Sequence, residues 1–362
     1  MTSTGVADLG TVALLSLEPW DDTWRRNQHL AARLVTLGLV RRLWFVAPSV
    51  KLRRVPTTTP FEGVRVTTPT RLLPHHRGGA KQVGLQLIAQ GIRRADVLWI
   101  NDAPLGAQLL TPGQRTLYDV TDDWRSASQS VLDRGALIRS EDRLATRATT
   151  TVCSPVLAER WSQRYGVAAQ VIQNGVDLAG HRRACPVTLP GDGPHAVYVG
   201  TLHPERLDIG LIERLAVTVP MAIHLVGPDC LGLEARARLR GLPNVYLHPP
   251  VGHEQVPSVL AAADVLLCPH VIDDFTLSLD AIKSFEYLAS RRPVVATASS
   301  GFQALPEGPL FRVVPTGDFV AAVQEVLQMS PDTSPAPVAP SDIDWDDRAR
   351  SFAVALAEAR RA

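Results

Sequence analysis

Short, wholly apolar runs alternate along this chain with longer segments in which apolar residues return every three or four positions. The short runs read as strands buried on both faces, and the longer ones as amphipathic helices packed over them. In the first half the order is TVALLSL, a helix in TWRRNQHLAARLVTLG, RLWFVAP, VRVTT, a helix near residues 82–93, VLWI, TLYDV and TTVCS. A helix over 155–165 and the strand AQVIQ close this half at Asn174-Gly175, a turn signal. The second half restarts with HAVYVG, a helix near 207–217, AIHLVG, a helix near 233–240, NVYLH, a short helix after Pro257, DVLLCP, a helix bearing Lys283, and VVAT. Strands alternating with helices predict an α/β fold of two doubly wound parallel sheets. The expected domains are 1–178 and 195–329, with the Pro- and Gly-rich stretch 181–194 as linker. A Pro-rich stretch over 330–340 precedes a last helix within 341–362.

Ligands of doubly wound sheets bind at the carboxyl ends of the strands, where strand order reverses. Gly200-Thr201, Gly227-Pro228, Pro249-Pro250 and Cys268-Pro269-His270 fall at such ends. The segment KSFEYLASRRPVVAT adds chemistry. Apolar positions at Ile282, Phe285, Leu288 and Ala289 define the buried stripe of a helix, which leaves Lys283 and Glu286 three apart on a neighbouring face. One ligand can meet both. Of the 37 basic residues only Lys51, Lys81 and Lys283 are lysine. A lysine kept in so arginine-rich a chain suits a compact charge on phosphate; a solvated helix face is the plainer alternative for both residues.

The composition is that of a globular protein, 45% hydrophobic and 20% charged. No apolar run reaches the roughly 20 residues that cross a bilayer, and the N-terminus lacks the basic start and apolar core of a signal peptide. A cytoplasmic location is expected. Cys153, Cys185, Cys230 and Cys268 are scattered without CxxC spacing, which gives neither a zinc motif nor a disulfide framework, so buried thiols are expected.

The net charge of +1 hides an asymmetry. Residues 1–180 hold 22 basic and 15 acidic side chains, a balance of +7, and the remainder 15 and 21, a balance of −6. Between Arg41 and Arg94 stand 11 basic residues and one acid, Glu62. That block reads either as a solvated face or as a surface for an anionic acceptor or phospholipid headgroups, with peripheral association at the inner membrane face. Nucleic acid is not expected as a partner, since RRM, zinc-finger and basic-zipper signatures are absent.

Taken in order, EPWDDTWRRNQHLAARL, LYDVTDDW, VCSPVLAERWSQRYG with VIQNGVD, YVGTLHPERLD, VYLHPPVGHEQVPSVLAAADVLLCP, KSFEYLASRRPVVAT and WDDRARSF resemble bacterial glycosyltransferases of the GT-B fold, group 1, including those of teichuronic-acid synthesis. The shared C-terminal motif is K-x-x-E-Y-L-A-x-G-x-P-V-V. The resemblance implies two Rossmann-like domains, an acceptor domain first and a nucleotide-sugar domain second, with the last helix crossing back to the first. It places the donor's ribose hydroxyls on Glu286, its diphosphate on Lys283, Arg206 and the amides of Gly200-Thr201, and its base near Val251. A nucleoside-diphosphate sugar is then substrate, with no cofactor and no metal, and no DxD motif ends a strand in this half. Two departures stand out. Ser278 occupies the position of a second carboxylate eight residues before Glu286, with Asp280 nearby as a substitute. Arg291-Arg292 replaces the usual small residue and glycine before Pro293. Retention or inversion at the sugar is left open.

An inverting transfer needs a base beside the acceptor hydroxyl, in the first domain. Asp122 and Asp123 follow the strand TLYDV and are the favoured candidates, although either could cap a helix starting at Trp124. Asp119 shares this segment. His29 is a further catalytic candidate, with packing as its alternative, and Asp21 and Asp22 read as capping residues. His75-His76 invites a metal reading that adjacent loop histidines rarely satisfy. Trp20, Trp24, Trp99 and Trp124 could stack on a sugar or fill the core. The acceptor could be a glycan, a lipid-linked sugar or a small molecule. A sugar-nucleotide epimerase and a two-lobed solute-binding protein are the competing functions.

Overall fold

The protein's computed structural model describes residues 9–74, 77–126, 131–278, 280–303, 305–329 and 339–361. The chain divides into two compact units, Met1–Gln173 with Trp345–Ala362, and Asn174–Asp344.

The first unit opens with β1 (Thr11–Leu15), α1 (Arg26–Thr36) and β2 (Arg42–Val46). An excursion follows, made of β3 (Val50–Lys51), β4 (Thr58–Phe61), β5 (Val64–Thr67) and β6 (Thr70–Arg71). Then come α2 (Gly79–Ala89), β7 (Val97–Ile100), α3 (Ala103–Leu109), β8 (Arg115–Val120), α4 (Val131–Arg147), β9 (Thr149–Val152), α5 (Pro155–Tyr165) and β10 (Gln170–Val171). The second unit holds α6 (Leu178–Arg183), β11 (His195–Val199), α7 (Ile209–Thr218), β12 (Ala222–Val226), α8 (Leu233–Arg240) and β13 (Val245–His248). It continues with α9 (Val256–Ala261), β14 (Val265–Cys268), α10 (Ile282–Ser290), β15 (Val294–Thr297), α11 (Ser300–Gln303), β16 (Phe311–Val314) and α12 (Phe319–Gln328). Finally α13 (Trp345–Ala357) and β17 (Arg360–Arg361) belong to the first unit.

The first sheet runs β10-β9-β8-β7-β1-β2-β5-β4, with β17 on the start of β8. Its long strands are parallel. Val12, Ala13, Leu14 and Leu15 are wholly buried, as a strand covered by helices on both faces must be. The second sheet runs β13-β12-β11-β14-β15-β16, all parallel. Strand order reverses between β1 and β7 in the first sheet and between β11 and β14 in the second, which fixes where each unit can take a ligand. The α/β expectation of two parallel sheets stands.

Three local expectations are corrected. The stretch 181–194 lies inside the second unit and carries the end of α6, because Asp177 caps that helix at the Gly180 amide, 2.9 Å away. No helix starts at Trp124. Residues 121–126 form turns in which the Trp124 and Ser126 amides bond back to the Asp122 and Asp123 carbonyls, each at 2.9 Å. Cys185 and Cys230 are exposed, while Cys153 and Cys268 are buried. His75, His76 and most of the stretch 330–340 lie outside the described residues.

Candidate functional site

The second unit gathers Gly200, Lys283 and Glu286 at the point where its strand order reverses. Gly200 follows β11 in a left-handed conformation, φ +151°, and Gly227 follows β12 at φ +147°. A Cβ on Gly227 would lie 2.2 Å from the Gly200 carbonyl oxygen. Only glycine permits that approach, so two strand ends present bare backbone side by side. A Cβ on Gly200 would lie 3.1 Å from both Lys283 Nζ and Tyr198 Oη, which places the ammonium over the exposed turn.

Lys283 sits in the first turn of α10, where no acidic residue accompanies it. A cation there opposes the helix dipole. Its Nζ lies 5.0 Å from the Tyr198 ring centroid, a cation–π contact that holds the charge without neutralising it. Arg206 reaches the same side of the sheet. Its carbonyl accepts the Val271 amide at 2.8 Å and its guanidinium lies over the Phe275 ring at 5.1 Å. Among the described residues neither Lys283 nor Arg206 forms an ion pair. Glu286, one turn along α10, is partly buried and has no hydrogen-bond partner among the described residues. Burial outweighs the attraction of Lys283 and pushes its carboxyl up to about 7.

The rest of the motif is scaffold. Tyr287 accepts the Val199 amide at 3.2 Å and donates to the Leu267 carbonyl at 3.0 Å, tying α10 to the ends of β11 and β14. Phe285 and Leu288 fill the core. Thr201 is partly exposed beside Gly200, and Val251 lies three residues past β13, packed on the core cluster that includes Phe285.

Both departures from the family motif have structural outcomes. Arg291 adopts the left-handed position that ends the helix, φ +56°, where glycine is usual. The turn closes on the Arg291 amide bonded to the Leu288 carbonyl, while Arg292 donates to the Ala261 carbonyl. Ser278 is fully buried and donates to the Phe275 carbonyl at 2.7 Å. Asp280 does not take up the second-carboxylate position. Its carboxylate accepts the Asn174 amide and its carbonyl accepts the Asn174 side chain.

His270, which the sequence marked only as the end of a strand, is buried beside Lys283 and Arg206. Burial first, and those two cations second, hold it well below the ordinary histidine range, so it is neutral. Its Nε2 lies 3.3 Å from Tyr198 Oη, and its buried Nδ1 has no hydrogen-bond partner among the described residues. The signal was its place just past β14. Among the described residues no three His, Cys, Asp or Glu side chains could hold a metal ion.

The first unit treats its candidate acids differently. Asp119 is fully buried and bonded to Arg26 through two contacts at 3.0 and 3.1 Å, and to Thr151 at 2.8 Å. Asp123 accepts from Arg160 at 2.8 Å, from Arg164 at 2.7 and 2.9 Å, and from Ser126 at 3.0 Å. Although burial alone would raise it, these arginines hold its carboxyl below the usual range. A carboxylate so held is a poor proton acceptor. His29 is held by packing. It stacks on Trp345 with ring centroids 4.7 Å apart and meets Trp24 edge-on at 5.2 Å, so it joins α1 to α13. Trp99 is core, against Phe352 at 4.5 Å. Asp21 caps no helix and accepts the Thr23 amide at 3.1 Å.

Asp122 stays partly exposed at the end of β8. Near it lies Glu18, which follows β1 at this sheet's own point of reversal and which the sequence reading passed over. Burial pushes Glu18 up to about 7, with Asp122 and Asp21 adding to the rise and Arg25 opposing it. Its Oε2 is shielded and has no hydrogen-bond partner among the described residues.

Residues 193–331 match the model of a family described as glycosyl transferases group 1. Among curated proteins the chain is similar to the putative teichuronic acid biosynthesis glycosyltransferase TuaH of Bacillus subtilis, 26% identical over 238 residues. That similarity spans 60% of this chain and 60% of the relative's length. Among solved structures it is similar to sucrose-phosphate synthase from Thermosynechococcus elongatus, with a TM-score of 0.72, 19% identity and 96% of each chain covered. Anabaena HepE in complex with UDP-glucose gives a TM-score of 0.63 at 16% identity, over 96% of this chain and 97% of that one. The second unit therefore matches the group 1 glycosyl transferase model over residues 193–331, in a chain of the two-domain GT-B fold.

Proposed function

We propose that this protein is a glycosyltransferase that moves a sugar from a nucleoside-diphosphate donor to an acceptor hydroxyl without a metal ion. One observation carries the reading. Lys283 stands over the bare backbone of Gly200, which Gly227 adjoins, at the reversal point of a parallel sheet, with Arg206 near enough to act on its charge, and among the described residues neither cation forms an ion pair. An anion of diphosphate size suits that combination, because backbone amides and point charges neutralise it together. Glu286 as a carboxylate accepts two hydrogen bonds from a vicinal diol, which fits the ribose, and Val251 with Thr201 would border the base and phosphates. The bond between sugar and diphosphate breaks, the diphosphate leaves against Lys283 and Arg206, and the acceptor oxygen joins the sugar. The acceptor oxygen gives up its proton to a carboxylate base, a role proposed for Asp122 or Glu18.

The acceptor fits a glycan, a lipid-linked sugar or a small molecule. Similarity to a putative teichuronic acid enzyme favours the cell envelope, and HepE's complex with UDP-glucose favours a UDP sugar. A cytoplasmic enzyme working at an anionic membrane face suits the basic block of the first unit. Incubation with labelled UDP, GDP, ADP, CMP and dTDP sugars tests the reading. Transfer to an added acceptor, or slow release of free sugar and nucleotide, supports it. A sugar altered while still joined to its nucleotide would mean an epimerase, and binding without turnover a solute-binding protein.

A further inference from the structure

The excursion of the first unit carries leucines on its surface. Leu52, Leu72, Leu73 and Leu85 are 70%, 57%, 49% and 59% exposed. Scattered exposed leucines are ordinary, but these belong to one patch. Leu52 follows β3 and bonds through its amide to the Arg71 carbonyl of β6, while the Leu72 amide bonds to Gln82 Oε1 on α2 at 2.8 Å. Leu85 lies three residues beyond Gln82 on the same helix, whose opposite side buries Ala80, Val83 and Leu87. Leu73 reaches back to the start of α2, with Cδ1 3.8 Å from where a Gly78 Cβ would lie.

Two further observations point outwards. Leu52 holds a left-handed backbone, φ +52°, a conformation costly for a branched side chain that nothing buried here repays. Around the leucines stand Lys51, Arg53, Arg54, Arg71, Arg77 and Lys81. Among the described residues none of the six forms an ion pair, in contrast to Arg236 with Asp229 and Arg238 with Glu213 in the second unit. Unpaired cations interleaved with exposed leucines match the layered chemistry of a bilayer surface, phosphates outside and acyl chains beneath. A soluble polyanion would use the cations and leave the leucines idle.

We infer that residues 50–54, 70–73 and 77–85 form a docking surface for an anionic phospholipid bilayer, with the four leucines entering the headgroup layer and the six cations meeting lipid phosphates. This deepens the membrane part of the proposed function and is independent of its catalytic part, since it is read by binding alone. The test is sedimentation of the full chain with phosphatidylcholine vesicles, with and without phosphatidylglycerol. Wild type should co-sediment with the anionic vesicles. R53Q/R54Q/K81Q should bind them about a hundredfold more weakly, at about fivefold per charge. L52S/L72S/L73S/L85S, with its charge intact, should lose at least about tenfold. Thermal melts matching the wild type confirm that both variants fold, and Leu85→Ser alone, on a solvent-facing helix position, is the milder variant if the quadruple one melts early. Anionic vesicle binding that the leucine variants leave unchanged overturns the inference and makes the patch a site for soluble polyanions. Absence of wild-type binding to anionic vesicles also overturns it.

Discussion

The two sheets end in opposite ways. Where β1, β7 and β8 stop in the first unit, the loops are closed by their own side chains. Asn101 Oδ1 accepts from Asn27 and from the Leu17 amide, Asn27 also donates to Ser16, and Asp119 holds Arg26. Where β11 and β12 stop in the second unit, the turns carry glycine, and among the described residues the nearby Lys283, Arg206 and Glu286 form no ion pair. The first arrangement spends most of its polar groups on the fold, with Glu18 as the exception. The second keeps them for a ligand, at a cost visible in Glu286, whose proton is held up to about 7.

That contrast breaks most sharply at Asp119. Asp119→Ala leaves the Arg26 guanidinium buried without the Asp119 carboxylate, and should remove about 3–5 kcal/mol of stability. Urea unfolding measures it, and a loss below about 1 kcal/mol would mean that the first unit's polar core is not structural. At the other sheet, Gly227→Ala drives a methyl onto the Gly200 carbonyl, and about 2–4 kcal/mol should be lost through strain at a backbone conformation that alanine avoids. An unaltered melt would show that these glycines need not approach.

The charges of the second unit sharpen the comparison by pH. Glu286 has a raised pKa, so it is mostly protonated below about 7 and becomes the better diol acceptor above it. Nucleotide affinity should therefore rise about five- to tenfold between about pH 6 and pH 8, and Glu286→Gln should flatten that rise. A slope that survives in Glu286→Gln would assign the titration elsewhere. The smallest effect is expected at the end of α10. Arg291→Gly relieves a left-handed arginine and should raise stability by up to about 1 kcal/mol in thermal melts, with nucleotide binding unchanged. A loss of stability would mean that the Arg291 side chain holds the turn.

The candidate site of the second unit was readable in the sequence because its parts are local. Lys283 and Glu286 share one helix face, Gly200 ends a strand, and Tyr287, Phe285 and Leu288 repeat at helical spacing. Parallel strands buried on both faces also announce themselves as unbroken apolar runs, as TVALL and VLLC do. The first unit resisted because its carboxylates are sorted by distant partners. Asp122 and Asp123 are neighbours in sequence, yet it is Asp123 that Arg160 and Arg164, about forty positions on, hold. Glu18 was hidden for the same reason, since its raised pKa depends on Asp122 across the sheet as well as on burial. The stacking of His29 on Trp345 joins residues at opposite ends of the chain, beyond any local pattern.

The central claim, that the reversal point of the second sheet holds a nucleoside diphosphate, is tested most directly by calorimetric titration of UDP, GDP and ADP into wild type, Lys283→Ala and Glu286→Gln. The account predicts that one nucleotide binds wild type and that each substitution weakens it by about 1.5–3 kcal/mol, roughly ten- to a hundredfold, with melting temperatures unchanged. Equal affinity in all three proteins would contradict it and move the donor site away from Lys283 and Glu286.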